Sequence, residues 1–327
     1  MTDLRKNNMK IVILDGKFVN PGDLSWDELR EIGDTIIYDT TFAEDVVKRV
    51  YDADIVITNK VVFDAATIDS LPNLKYIGVS ATGYNIVDVR HAAEKGIIVT
   101  NIPAYSTESV VQMVFAHILN ITNRVGYYAD ENRSGRWSKN DGFCYWDTPL
   151  IELDSKTIGI VGLGNIGKRT AEVAHAFGMR VVALTSKETS ALPPYINKAD
   201  DIDYLLSQSD IVTLHCPLTD ETKEIINSDS INKMKKGAIL INTGRGGLIN
   251  EHDVAEALKK EILAGYGTDV LTDEPPLEDS PLLTCKNAFI TPHIAWATLE
   301  ARKRLMNILV DNVRKFISDK PQNIVKP

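Results

Sequence analysis

Three side chains in the second half of the chain could together support the reduction of a carbonyl. Arg245 stands in Asn242-Thr243-Gly244-Arg245-Gly246-Gly247, Glu274 in Asp273-Glu274-Pro275-Pro276 and His293 in Thr291-Pro292-His293. A guanidinium can grip a carboxylate through two parallel charge-assisted hydrogen bonds. A carbonyl that accepts hydride must also gain a proton, and imidazole exchanges protons near neutrality. A carboxylate beside that imidazole fixes its orientation and favours its charged form. Taken singly, each residue has a plainer reading: a surface arginine, a solvated turn glutamate, a capping histidine. Their shared placement, each just beyond a β-rich run, argues for a joint role. Asp269, at the end of the Gly265–Val270 run, falls on the same rim.

A fourth signal says what stands beside them. Gly162-Leu163-Gly164-Asn165-Ile166-Gly167 matches G-x-G-x-x-G, follows the run Thr157–Val161 and leads into a helical pattern over Lys168–Phe177. In that context the motif is a dinucleotide fingerprint. Gly162 permits the tight turn, Gly164 lets the backbone approach a pyrophosphate, and Gly167 permits close helix–strand packing. The helix N-terminus, with Asn165 and Ile166, offers N–H groups and partial positive charge to phosphate. The next β-run, Arg180–Leu184, ends in Thr185-Ser186-Lys187, where an NAD site usually carries Asp or Glu for the ribose 2′-hydroxyl. Two hydroxyls and a cation suit a 2′-phosphate better, so the sequence favours NADP(H) within NAD(P)(H), although Glu188 stands close by.

These residues need a scaffold that brings strand ends to one rim. Short β-rich runs at Ile11–Leu14, Thr35–Tyr38, Ile55–Thr58, Leu74–Val79 and Ile97–Thr100 alternate with helical spacing such as Trp26–Ile32 and Ala43–Tyr51. This is βαβ rhythm, which implies parallel sheets covered by helices. A long helical stretch follows from about Ser106 to Val125, and then an aperiodic aromatic segment, Tyr127–Pro149, reads as loop plus short helix. A second βαβ series begins at Thr157 and continues through Arg180–Leu184, Ile211–Leu214, Ala238–Asn242, Gly265–Val270 and Ala288–Thr291. A closing helix spans about Leu299–Phe316.

Composition bounds the function class. The chain has 327 residues, 44% hydrophobic and 25% charged, with formal net charge −9. That length suggests about two domains, and the acidic balance disfavours nucleic acid and anionic membranes as partners. Cys144, Cys216 and Cys285 lie far apart with no C-x-x-C, which fits reduced thiols in a cytoplasmic protein and no metal site. No apolar run reaches the roughly 18 residues of a spanning helix. Residues 1–8 are polar and read as a disordered tail.

Taken together, Gly162–Gly167, Thr243–Gly247, Asp269–Pro276 and Pro292-His293 resemble, in order, the signatures of the D-isomer-specific 2-hydroxyacid dehydrogenases, from about Met9 to about Val313. The resemblance implies an α/β fold of two Rossmann-like, doubly wound parallel-sheet domains, the cofactor domain (104–295) inserted into a substrate-binding domain (9–103 plus 296–327). It implies that Arg245 binds the substrate carboxylate and carbonyl, that His293 exchanges the proton, and that Glu274 hydrogen-bonds His293. Thr243, Gly244 and Asp269 would contact the nicotinamide side, and His215-Cys216-Pro217 would line the cofactor. Ala81, Thr82 and Gly83, in Ser80-Ala81-Thr82-Gly83, would hold the carboxylate by backbone amides. The crossings near Pro103 and Trp296 would act as a hinge whose closure excludes water. Trp296 could narrow the pocket or pack at that hinge.

Within the family, Ser109-Val110-Val111-Gln112, Trp137-Ser138 and Phe143-Cys144-Tyr145-Trp146 point to the hydroxypyruvate reductase or glycerate dehydrogenase branch. That branch reduces a small 2-oxo acid, hydroxypyruvate or glyoxylate, to D-glycerate or glycolate, and runs the reverse. A dehydrogenase for D-lactate or a phosphoglycerate-like acid, and a dinucleotide-sensing corepressor, are the alternatives. The family also implies a homodimer, formed through 104–150.

Overall fold

The computed structural model describes residues 9–327; the tail expected at 1–8 lies outside them. The chain divides into two compact units, Met1–Ser106 with Ala297–Pro327, and Thr107–Trp296. In the first unit the order is β1 (Lys10–Ile13), α1 (Gly16–Val19), α2 (Asp27–Arg30), β2 (Asp34–Ile37), α3 (Val46–Val50), β3 (Ile55–Thr58), α4 (Ala65–Asp69), β4 (Tyr76–Val79), α5 (Val89–Glu94) and β5 (Ile98–Thr100). The second unit runs α6 (Thr107–Asn123), α7 (Val125–Arg133), β6 (Thr157–Val161), α8 (Asn165–Ala176), β7 (Arg180–Leu184), β8 (Ile196–Lys198), α9 (Ile202–Gln208), β9 (Ile211–Leu214), α10 (Ser228–Ile231), β10 (Ala238–Asn242), α11 (Glu251–Lys259), β11 (Leu263–Thr268) and β12 (Ala288–Ile290). α12 (Leu299–Ile317) then returns to the first unit.

Both sheets are parallel. Their orders are β2-β1-β3-β4-β5 and β12-β11-β10-β9-β6-β7-β8. Parallel strands are covered on both faces, so they read as unbroken apolar runs rather than as alternation. Ile55–Thr58, Thr157–Val161 and Ala238–Asn242 are buried at every position. Short polar caps start the helices: Asp64 accepts from Thr67 N at 2.8 Å, Asp201 from Tyr204 N at 2.8 Å, and Thr298 from Ala301 N at 3.3 Å. Each cap satisfies an amide that helix geometry leaves without a partner.

In the first unit, α12 buries Ala301, Leu305, Met306, Leu309, Val310 and Val313, a stripe at helical spacing, and Phe316 meets Tyr76 of β4 with ring centroids 4.7 Å apart. Buried Arg302 closes its N-terminal end with a two-point bond to Asp23, at 2.6 and 2.7 Å. In the second unit, α6 crosses β11 over bare glycines. A Cβ on Gly265 would lie 2.8 Å from Ile121, and one on Gly267 would lie 2.7 Å from His117 Cβ. Glycines two apart on a strand thus receive side chains four apart on a helix.

The short helix expected in the segment after α6 is α7, nine residues long with no buried side chain. Two elements differ from the sequence-based expectation. β8 carries one buried residue in three, too weak an apolar signal to read as a strand. β11 stops at Thr268, one residue short of Asp269. There the chain leaves the ladder, because the Asp269 carboxylate turns to bind the 291–295 loop.

Candidate active site

The second sheet changes direction between β6 and β9: β7 and β8 extend one way, β10, β11 and β12 the other. In open α/β sheets ligands bind outside the strand carboxyl ends at such a point. Here the glycine turn leaves β6 and His215-Cys216 leaves β9. Gly162 has φ +94°, and a Cβ on it would lie 2.7 Å from Cys216 N and 2.8 Å from the His215 carbonyl. Only glycine lets the two loops approach this closely. A Cβ on Gly167 would collide with the Gly162 carbonyl oxygen, whereas one on Gly164 would meet open space. Gly164 is the N-cap of α8, so Asn165, Ile166 and Gly167 form the first helical turn. Their amides have no intrahelical acceptor and face the open side.

Thr185 lies just past β7. Its hydroxyl accepts from Lys187 N at 3.2 Å, and the Lys187 ammonium donates to Leu163 O at 2.8 Å, inside the glycine turn. Lys187 is therefore tied to the turn, while Ser186 remains exposed. His215 Nε2 lies 3.0 Å from Thr213 Oγ1, and burial pushes its imidazole down to about 4. The ring is thus neutral near pH 7. Burial also raises the Cys216 thiol. Pro217, next in the chain, is exposed.

Thr243 follows β10, and its Oγ1 is buried with no hydrogen-bond partner among the described residues. Buried hydroxyls are ordinarily paired, so this one has room for a bound donor or acceptor. Gly244 N donates to Asn242 Oδ1 at 3.0 Å, and Asn242 Nδ2 donates to Arg245 O at 2.9 Å; together they fix the turn that presents Arg245. The Arg245 side chain is exposed, with Nη1 2.8 Å from Gly244 O. The glycine turn, the unpaired Thr243 hydroxyl and the helix amides fit a dinucleotide at this edge.

His293 and Glu274 are in contact, with His293 Nδ1 2.6 Å from Glu274 Oε2. Glu274 Oε1 accepts from Leu271 N at 3.1 Å, so the carboxylate is braced by backbone on its other side. His293 has φ +54°, the left-handed region that side chains seldom occupy. Its neighbours hold it there. Asp269, 1% exposed, accepts from Thr291 Oγ1 at 2.6 Å, Ile294 N at 2.9 Å and Ala295 N at 2.7 Å. Trp296 Nε1 donates to His293 O at 2.9 Å, and Ser109 donates to Ala295 O. Asp269, expected at the nicotinamide side, anchors the His293 loop. Arg245 leaves β10 and His293 follows β12, the two strands that flank β11.

The other expected residues, Ala81, Thr82 and Gly83, follow β4 in the first unit. Ala81 O accepts from Ile102 N at 2.9 Å and Thr82 O from Asn101 Nδ2 at 2.8 Å, while Thr82 Oγ1 donates to Ile102 O at 2.8 Å. The turn is fixed through its carbonyls and the Thr82 hydroxyl.

The sequence reading did not find His117. It lies on α6, is 4% exposed, and has Nε2 3.2 Å from Thr291 Oγ1. Its partner is 174 residues away, so no local spacing connects them. The signal that could have exposed it is the paired glycines of β11.

Residues 115–295 match the model of the family described as D-isomer specific 2-hydroxyacid dehydrogenase, NAD binding domain. The chain is 48% identical over 320 residues to a hydroxypyruvate reductase of Blautia hydrogenotrophica, covering 97% of this chain and 99% of the relative. It is 40% identical over 292 residues to a glycerate dehydrogenase of Methylorubrum extorquens, covering 88% and 91%. Among solved structures it is similar to an acyclic imino acid reductase in complex with NADPH and D-Arg, with TM-score 0.85, 31% identity, and 97% and 100% of the two chains covered. The cofactor is a nicotinamide dinucleotide. With the fold, the strand-end geometry and likeness over nearly the whole chain in agreement, the protein belongs to the D-isomer specific 2-hydroxyacid dehydrogenase family.

Proposed function

We propose that the protein is an oxidoreductase that reduces a small 2-oxo acid, hydroxypyruvate or glyoxylate, to the D-2-hydroxy acid with NAD(P)H, and catalyses the reverse. The relatives named hydroxypyruvate reductase, glycerate dehydrogenase and glyoxylate reductase support this reading. The observation that carries it is the 2.6 Å contact between His293 Nδ1 and Glu274, on the same strand-end rim as the glycine turn. When bound, the dinucleotide supplies or accepts the hydride at C2. With Nδ1 engaged by Glu274, the Nε2 of His293 is the nitrogen left to give the carbonyl oxygen its proton in reduction and to take it back in oxidation. Glu274 is an orienting counter-charge for the resulting imidazolium exchange. Arg245 pairs the substrate carboxylate and polarises the carbonyl. Ala81, Thr82 and Gly83 add backbone N–H donors to that carboxylate.

The remaining assignments follow the same reading. Gly162, Gly164, Asn165, Ile166 and Gly167 hold the pyrophosphate; Thr185, Ser186 and Lys187 favour the 2′-phosphate of NADP(H). His215, Cys216 and Pro217 line the cofactor, with Thr243, Gly244 and Asp269 on its nicotinamide side. Residues 104–295 form the cofactor domain, and 9–103 with 296–327 the substrate-binding domain. Phe143 and Trp146, 90% and 64% exposed, lie on a segment stiffened by Arg136–Asp147 bonds and suit burial against a second copy of the chain. Three free cysteines suit the cytoplasm. Among the described residues no helix is long and apolar enough to cross a membrane.

The test follows the absorbance of the reduced cofactor with hydroxypyruvate and glyoxylate, in parallel with NADH and NADPH. Oxidation with D-acid formation is expected, faster with NADPH. Tight cofactor binding with no oxidation by any 2-oxo acid would overturn the reading in favour of a dinucleotide-sensing protein.

A further inference from the structure

We propose that His117 is a positioning residue that sets the hydrogen-bond order of the Thr291–Asp269 pair and thereby holds the main chain at His293. This rests on the reading of His293 as the proton donor. Thr291 Oγ1 has one hydrogen and several neighbours: Asp269 Oδ1 at 2.6 Å, Thr268 O at 3.3 Å, Met113 Sδ at 4.0 Å and His117 Nε2 at 3.2 Å. The shortest contact is to a carboxylate, which can only accept while ionised. The hydroxyl therefore donates to Asp269, and its oxygen is left to accept. His117 Nε2 must then be the donor, with its proton on Nε2. Burial lowers the affinity of this ring for a second proton, so it stays neutral near pH 7.

The order of bonds runs in one direction: His117 to Thr291, Thr291 to Asp269 Oδ1. With one lone-pair direction of Oδ1 taken by Thr291, the carboxylate lies so that Ile294 N reaches Oδ1 at 2.9 Å and Ala295 N reaches Oδ2 at 2.7 Å. Thr291 and Ile294 bracket His293, and both converge on one carboxylate. The left-handed backbone of His293 is costly unless such contacts over-determine it. α6 reaches this network only because Gly267 lacks a Cβ. His117 acts through Thr291.

The test compares His117→Leu, which removes the donor at similar volume, with His117→Gln, whose amide can place a donor near the former Nε2. Steady-state reduction of hydroxypyruvate is measured, with cofactor affinity and melting temperature recorded for each variant. Losing one neutral hydrogen bond predicts about a three- to tenfold fall in kcat for His117→Leu, with KM moved less than about twofold. His117→Gln should return to within about twofold of wild type. In a Thr291→Val background, His117→Leu should have little further effect on kcat. Unchanged kcat in His117→Leu, no rescue by Gln, or the full effect persisting without Thr291 would each overturn the proposal. If the wild type turns over no 2-oxo acid, the functional reading fails, and the network is read by imidazole nitrogen shifts. His117 should then be protonated on Nε2, and the His293 ring signals should move in His117→Leu and return in His117→Gln; an Nδ1-protonated His117 would refute the proposal.

Discussion

The two units carry the same kind of sheet and spend their strand-end polar groups differently. In the first unit these groups satisfy one another. Asp15, past β1, accepts from Asn59 N at 2.8 Å and Lys60 N at 2.6 Å; Asn59 Nδ2 donates to Ser80 O at 2.8 Å; Ser80 Oγ donates to Thr58 O at 3.2 Å. In the second unit the corresponding positions keep capacity in reserve: the Thr243 hydroxyl is buried without a partner among the described residues, Arg245 is exposed, and the contact of His293 with Glu274 engages its Nδ1 and not its Nε2. A closed polar network stabilises a fold, whereas an incomplete one is completed by a ligand. Parallel architecture alone therefore does not make a site; the accounting of donors and acceptors at the strand ends does.

Substitutions at the open positions of the second rim should break activity, and those inside the closed Asp15–Asn59–Ser80 network of the first should break stability. The largest effect is expected at Arg245. Arg245→Gln should lower kcat/KM by about 100-fold or more, because an ionised carboxylate would be left without its cation. Steady-state kinetics with intact cofactor binding check this. Glu274→Gln keeps the shape but loses the charge-assisted bond at 2.6 Å, and should cost about 10- to 100-fold in kcat. Lys187→Ala should lower the ratio of kcat/KM with NADPH to kcat/KM with NADH by about three- to tenfold, since an exposed cation contributes modestly to phosphate binding. On the first rim, Asn59→Ala leaves a buried carbonyl unpaired and should cost about 1–3 kcal/mol of stability, read by chemical denaturation.

The smallest effect is in the pH dependence of stability, where the two units have opposite signs. His117 and His215 are held below the usual imidazole range by burial, so the unfolded chain binds their protons more tightly. Stability from these groups falls as pH drops below about 6.5. Burial raises Asp15 above the ordinary aspartate value of 3.8, so the folded form binds that proton more tightly. Its contribution is present in acid and is lost as pH rises through the folded value. Unfolding midpoints at about pH 5 and about pH 8 should therefore differ less in His117→Gln than in the wild type.

Much of this was legible in the sequence, for identifiable reasons. Unbroken apolar runs such as Ile55–Thr58 announce parallel strands, and a glycine motif between strand and helix announces its turn. Arg245, Glu274 and His293 drew notice because each lies a short step past such a run. What stayed hidden depends on distance in the chain. The bond between His117 and Thr291 spans 174 residues, and that between Asn59 and Ser80 joins two strand ends with no shared motif. β8, with one buried residue in three, has no apolar run to betray it. The bracing of the His293 loop by Asp269 stayed hidden because three of its bonds go to one later segment.

The most direct test of the central claim is single-turnover reduction of hydroxypyruvate by His293→Ala with reduced cofactor already bound. Loss of the proton donor predicts a fall in the rate of cofactor oxidation of about 100- to 10,000-fold, with cofactor affinity within about threefold of wild type. Oxidation at the wild-type rate would contradict the account.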